Sequence, residues 1–270
     1  MQGVVARVAV GRARVVREVR AAEPLAVALA APLTARAPWL TAVLDDGAAR
    51  RTLARPAAVV VDGAPDGPPR AAAFLSLRRR GPHTVVSLLG QDRPPLPPGR
   101  PTARLLARDE AAAGTLAAGV LDLLGSLRGP WTLRLTGLPL GDPTARALAA
   151  ALPTAVLANA RSTRLVDALD ELGPVERSTG QEFLERRLRG LLAAERDRRS
   201  RAFLRATARL HAAVGRVEVA VVTDGEQLRA GLLTLVDGAD RWPWWGFGGV
   251  GAEPGAPVAT LSAPARRWPR

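Results

Sequence analysis

Two spacings of apolar residues divide the chain into strands and helices. Ala57-Ala58-Val59-Val60-Val61 is a short apolar run closed by Asp62-Gly63, which predicts a buried strand entering a turn. Segments 70–79 and 83–89 predict two more strands, joined through Gly81-Pro82, so the three form an antiparallel meander. Trp131, Leu133 and Leu135 alternate with Thr132, Arg134 and Thr136, the pattern of a half-buried strand. Between these strands, Leu116, Val120, Leu123, Leu124 and Leu127 share one helical face. That helix opens at Asp109 or Glu110 and is stopped by Gly129-Pro130. Gly141-Asp142-Pro143 predicts the next helix start, because Asp142 can accept from free backbone amides and Pro143 suits the first turn. At the N-terminal end, the β-branched Val15, Val16 and Val19 predict a first strand over 14–20, followed by short helices over 23–31 and 38–46. Segments 103–107, 154–157 and 164–169 are further short strand candidates.

Past Pro174 the texture changes. Segments 179–196 and 198–213 predict two arginine-rich helices, the second with Phe203, Leu204 and Leu210 toward a core. Strands follow over 217–222, 228–236 and 258–262, with the tryptophan-rich Arg241-Trp242-Pro243-Trp244-Trp245-Gly246-Phe247 before the last. This second meander echoes the first. Val59-Val60-Val61-Asp62-Gly63 matches Val221-Val222-Thr223-Asp224-Gly225, and Ala73-Phe74-Leu75-Ser76-Leu77 matches Gly231-Leu232-Leu233-Thr234-Leu235. The echo predicts a lobe at 1–172 and a shorter, truncated partner at 173–270.

Composition narrows the chemistry. The 270 residues hold no Cys and only two His, which excludes disulfides, thiolate metal sites and a cysteine nucleophile, so no metal site is expected. There is no apolar run long enough to span a membrane. Arginines before the apolar stretch 25–33 resemble a signal peptide, but Glu23, Pro24 and Pro32 break it, and the expected location is cytoplasmic. The net charge of +13 comes from arginine alone among the basic residues. It attracts polyanions in general, but no aromatic residues interleave with the arginines, so specific nucleic-acid binding is not expected. The dense arginines over 186–209 predict a solvated face or a partner surface, His83 a turn residue, and His211 a solvated or helix-end residue. The Trp-rich segment is either the plug of the small lobe or a surface for a protein partner.

The order of elements resembles the GNAT acyltransferase fold, and the closer likeness is to the CelD-type, FemAB-like acetyltransferases with two such lobes. The stretches that carry it are Pro38-Trp39-Leu40, residues 57–90, 131–142 and 223–242. The resemblance implies an α+β fold, with a mostly antiparallel mixed sheet flanked by helices and a smaller half-lobe after it. It implies an N-acyltransferase that moves an acyl group from acyl-CoA to a small-molecule or peptide amine. The alternative is a catalytically degenerate scaffold binding a protein or an anion. In such a fold the strands over 83–89 and 131–136 splay, and backbone groups at Leu88, Leu89 and Gly90 would hold the pantetheine arm. The loop that should cradle pyrophosphate reads Gln91-Asp92-Arg93-Pro94-Pro95-Leu96-Pro97-Pro98-Gly99-Arg100-Pro101. Proline lacks the amide donor, so phosphate binding would fall to the side chains of Arg93 and Arg100 beside Gly99. Glu110, or Asp109 before it, is the candidate base, at a position better suited to a helix-dipole or capping role. The tyrosine that often serves as acid in this family is missing, because the chain has no Tyr.

Overall fold

The computed structural model describes residues 6–50, 52–63, 67–92, 95–225 and 227–266. The chain is a mixed α+β protein with two sheets, and it divides into two compact units. The first unit comprises Met1–Asp92, Pro101–Ala160 and Pro257–Arg270, and the second Arg93–Arg100 and Arg161–Ala256.

The first unit begins with strand β1 (Ala6–Val10), helices α1 (Arg12–Ala21), α2 (Glu23–Ala28) and α3 (Ala37–Ala49), then the meander β2 (Ala54–Val61), β3 (Ala71–Arg80) and β4 (His83–Leu88). The short β5 (Leu106–Ala107), α4 (Glu110–Gly125), β6 (Trp131–Leu138), α5 (Pro143–Ala151) and β7 (Val156–Asp167), which passes into the second unit at Arg161, follow. The sheet order is β1-β2-β3-β4-β6-β12-β7, with β5 on β3 and β12 (Val250–Arg266) coming from the far end of the chain. β1/β2, β2/β3, β3/β4 and β6/β12 are antiparallel, whereas β4 and β6 are parallel. This is the GNAT-like arrangement, a mostly antiparallel mixed sheet with helices on both faces.

Both faces of the sheet are covered by helices, which explains why residues 57–61 of β2 and 71–75 of β3 are apolar without interruption. Ala57, Val59 and Val61 of β2, with Ala73 and Leu75 of β3, face Leu116, Val120 and Leu124 of α4. The intervening Ala58, Val60, Ala72 and Phe74 face Val15, Val19, Leu25, Leu40 and Leu44 on α1–α3.

Residues 14–20 are not the first strand. They lie in α1, and the strand precedes them at 6–10. Val15 and Val19 are buried one helical turn apart with Ala22, while Arg14, Arg17 and Arg20 turn outward; this period of 3.6 outweighs the β-propensity of valine. The two weak strand candidates at 154–157 and 164–169 belong to the single strand β7.

The second unit contains β8 (Val175–Ser178), α6 (Gln181–Ala193), α7 (Arg198–Ala212), β9 (Val217–Asp224), β10 (Gln227–Asp237) and β11 (Asp240–Phe247). Its sheet runs β11-β10-β9-β8, all antiparallel. The echoed segments are therefore strands of two antiparallel meanders, β2-β3-β4 and β9-β10-β11. A bulge between Leu233 and Thr234 shifts the register of the second. α6 and α7 turn Leu184, Leu188, Leu191, Phe203 and Leu204 inward and leave most of their arginines exposed. His211 is not solvated: it has no exposed surface.

The units do not divide at 172. Residues 161–172 and the proline-rich segment go with the second unit, and 257–266 with the first. The reason is β12, whose Ala259, Leu261 and Ala263 pair with β6 and join the core of the first unit.

Candidate functional site

In the first unit the site is built where β4 and β6 part. Their parallel register runs from Thr84↔Trp131 to Ser87↔Arg134. Beyond it the parallel ladder ends, at the amides of Leu88 and Thr136. Both donate to one oxygen, Oε1 of Gln91, at 3.4 Å and 3.1 Å. A tight turn brings that side chain back over the gap: Gln91 N–H donates to Leu88 O at 3.2 Å. Gly90 makes the turn with φ of 87°, and a Cβ there would press Val43 Cγ2 at 3.0 Å. On the far side Leu89 N–H donates to Phe74 O of β3 at 2.9 Å, so Leu88, Leu89 and Gly90 stay anchored to the sheet. One residue further along β6, Gly137 O accepts from Thr102 N–H and Ala103 N–H, both at 3.0 Å. Thr34 Oγ1 donates to Thr102 O at 2.6 Å and holds that segment down. At the other end of β4, His83 Nε2 and Thr132 Oγ1 share a hydrogen bond of 2.8 Å.

The N-terminus of α4 is already occupied by protein. Asp109 accepts from Ala112 N–H at 2.8 Å and pairs with Arg70 at 2.8 Å. The Ala112 amide first, and the Arg70 guanidinium second, hold its carboxyl below the usual carboxylate range. Glu110 follows in the first turn, largely exposed and paired with Arg146 of α5 at 2.8 Å. Its position is that of a helix-dipole residue, and its polar partner among the described residues is Arg146 rather than any group at the β4/β6 divergence. Asp142, 4% exposed, caps α5 by accepting from Ala145 N–H at 2.9 Å. Burial pushes its carboxyl up, against the pull of that amide.

The remaining candidates are in the second unit. Arg93 lies outside the described residues. Gly99 and Arg100 line a cavity of ≈ 370 Å³ together with Arg164, Asp167, Arg241 and Trp242. Arg100 pairs with Asp240, and its guanidinium lies 4.8 Å from the centre of the Trp242 ring. That bond holds the Asp240 carboxyl below its ordinary range. Arg164 pairs with Glu253 at 2.5 Å, and Arg241 with Glu218. Each of these three arginines thus faces a carboxylate of the same unit, and the cavity has little net attraction for phosphate.

Sequence reasoning did not join the proline run to the Trp-rich strand. Trp244 Nε1 donates to Pro95 O at 2.9 Å, and Trp242 Nε1 to Pro98 O at 2.5 Å. Gly99 closes the segment with φ of 100°, and a Cβ there would meet Arg164 Cβ at 2.4 Å. Trp242 and Trp244 are buried and belong to the core, whereas Arg241 is exposed and Trp245 and Phe247 are half-buried. Gln91 was also passed over as a site residue. Its only signal was its place directly after Gly90, ahead of the prolines.

No protein-family model and no curated protein matches the chain. Among solved structures it is similar to FemX, at 14% identity and a TM-score of 0.42, over 83% of this chain and 56% of that one. The chain thus spans little more than half the length of FemX. It is also similar to a tandem GNAT protein from the clavulanic acid biosynthesis pathway, at 16% identity and a TM-score of 0.38, over 87% of this chain and 75% of that one. A third similar structure is a conserved Enterococcus faecalis V583 protein described as a probable N-acyltransferase, at 11% identity and a TM-score of 0.32, over 96% and 72%. These likenesses are loose, and the fold is defined by the strand order itself. Among the described residues no group of three His, Asp or Glu is placed to hold a metal ion, and no helix is long and apolar enough to cross a membrane.

Proposed function

We propose that the chain is an N-acyltransferase that takes an acyl group from a pantetheine thioester such as acetyl-CoA and passes it to an amine. One observation carries this reading: at the β4/β6 divergence the Leu88 and Thr136 amides converge on an amide oxygen. Two N–H donors fixed at the end of a ladder are suited to the amide carbonyls of a pantetheine arm. In the reaction the amine nitrogen attacks the thioester carbonyl, a C–N bond forms, the C–S bond breaks, and the proton lost from nitrogen ends on the thiolate. The role of this chain is to hold and orient the donor, the contribution of positioning to rate. Glu110, exposed and paired with Arg146, has no part as base in this reading.

A second reading, a catalytically silent scaffold, is favoured by the α4 N-terminus. Asp109 takes the place of an anion there, so the pyrophosphate of CoA would meet the carboxylates of Asp109 and Glu110. The two readings separate in one assay, thiol release from acetyl-CoA with and without a panel of primary amines. Amine-dependent thiol release is expected from the enzyme. Saturable binding of acetyl-CoA without release supports the scaffold.

A further inference from the structure

We infer that the Gln91 carboxamide is a built-in occupant of the donor cleft, one that a bound donor must displace; the inference rests on the acyl-donor reading above. The chemistry of the occupant is the reason. A carboxamide is the side-chain group that most closely copies a peptide-like amide, with one carbonyl acceptor and an NH2 donor. Its oxygen accepts from Leu88 N–H at 3.4 Å and Thr136 N–H at 3.1 Å, at the point where β4 and β6 stop pairing. Without it, both part-buried donors lose an acceptor, which is costly away from water. The turn at Gly90 delivers the side chain to this point and the following loop leaves the sheet, so a change of the Gln91 rotamer empties the gap while β4 stays bonded to β3 through Leu89. Ligand and side chain therefore compete for the same two donors. Donor affinity is set by what the cleft binds minus what Gln91 gives up.

The competition predicts opposite effects from two substitutions. Gln91→Ala removes the occupant. Gln91→Glu puts a carboxylate on the two amides, a stronger acceptor than the carboxamide. The probe is pantetheine, which has the amides of CoA and none of its phosphates, so the new charge does not act through phosphate repulsion. Titration calorimetry should give binding about fivefold or more tighter for Gln91→Ala, and weaker for Gln91→Glu by a similar factor, the size expected for one or two exchanged hydrogen bonds. Hydrogen exchange of the ligand-free protein supplies the second readout. The Leu88 and Thr136 amides should lose protection in Gln91→Ala, while the Leu89 amide, bonded to Phe74 O, keeps its own. Equal affinity in all three proteins would overturn the inference and leave the donor reading standing, as would unchanged exchange at Leu88 and Thr136. If neither pantetheine nor acetyl-CoA binds any of the three at millimolar concentration, the donor reading falls and the inference with it.

Discussion

His211 sits on α7 without exposed surface, and burial, then the charge of Arg216, pushes its pKa from 6.5 down to about 4. A lowered value in the folded state means that the unfolded chain takes up the proton first. Stability is therefore full above pH 6.5, falls as the pH drops from 6.5 toward 4, and the loss amounts to about 3 kcal/mol before it levels off. Urea unfolding across this range should show that slope in the wild type and not in His211→Leu; parallel profiles would exclude it. Asp142 tests the opposite case, a buried acid kept for its cap. Asp142→Ala removes the acceptor from Ala145 N–H and should cost about 1–2 kcal/mol, whereas Asp142→Asn keeps the acceptor, sheds the buried charge and should cost less. Thermal unfolding of the two variants measures the difference. Asp142 was legible in the sequence because a cap followed by proline is local chemistry. Gln91 was not, because its role arises only when the end of β4 and the middle of β6, far apart in the chain, lie side by side. The sequence reading looked for charge to hold phosphate, and so chose Arg93 and Arg100 over an uncharged amide.

At the scale of elements, the meander of 57–89, the helix after Asp109 and the alternation of 131–136 could be read directly, since period and turn residues agreed there. α1 could not, because β-branched residues argue for a strand while only tertiary packing shows that Val15 and Val19 share a helical face. The proline segment and β11 were each conspicuous in the sequence, but nothing local links residues so far apart. Their union is testable. Trp244→Phe keeps an aromatic ring but leaves Pro95 O without its donor, and should cost about 1–2 kcal/mol. Trp244→Ala should cost about 3–5 kcal/mol by also leaving a cavity. Gly99→Ala, strained by its positive φ and by Arg164 Cβ, should destabilise by more than about 1 kcal/mol. Denaturant midpoints rank the three; a neutral Gly99→Ala would contradict the close approach of the segment to β7.

For the whole molecule, the late return of β12 makes the first unit depend on residues that follow the second in sequence. A chain ended after Ala256 should lose amide protection in β6, whose edge and core partners Ala259, Leu261 and Ala263 are gone, while β9 and β10 keep theirs. Unchanged protection in β6 would contradict that dependence. This arrangement was hidden from the sequence, in which 258–262 reads only as a last short strand of the second part. In the folded chain Arg7, Arg70, Arg100, Arg164, Arg177, Arg209 and Arg241 all face carboxylates. Exposed pairs of this kind add little stability, and the net charge of +13, which already counts both partners of every pair, stays available to attract a polyanion. The central claim is that the β4/β6 divergence receives a pantetheine thioester through the two strand amides that meet Gln91 there. It is tested most directly by following the backbone amide resonances of Leu88 and Thr136 while acetyl-CoA is added. The predicted result is a saturable shift of both, with residues remote from the divergence unmoved. The contradicting result is that millimolar acetyl-CoA leaves both where they were.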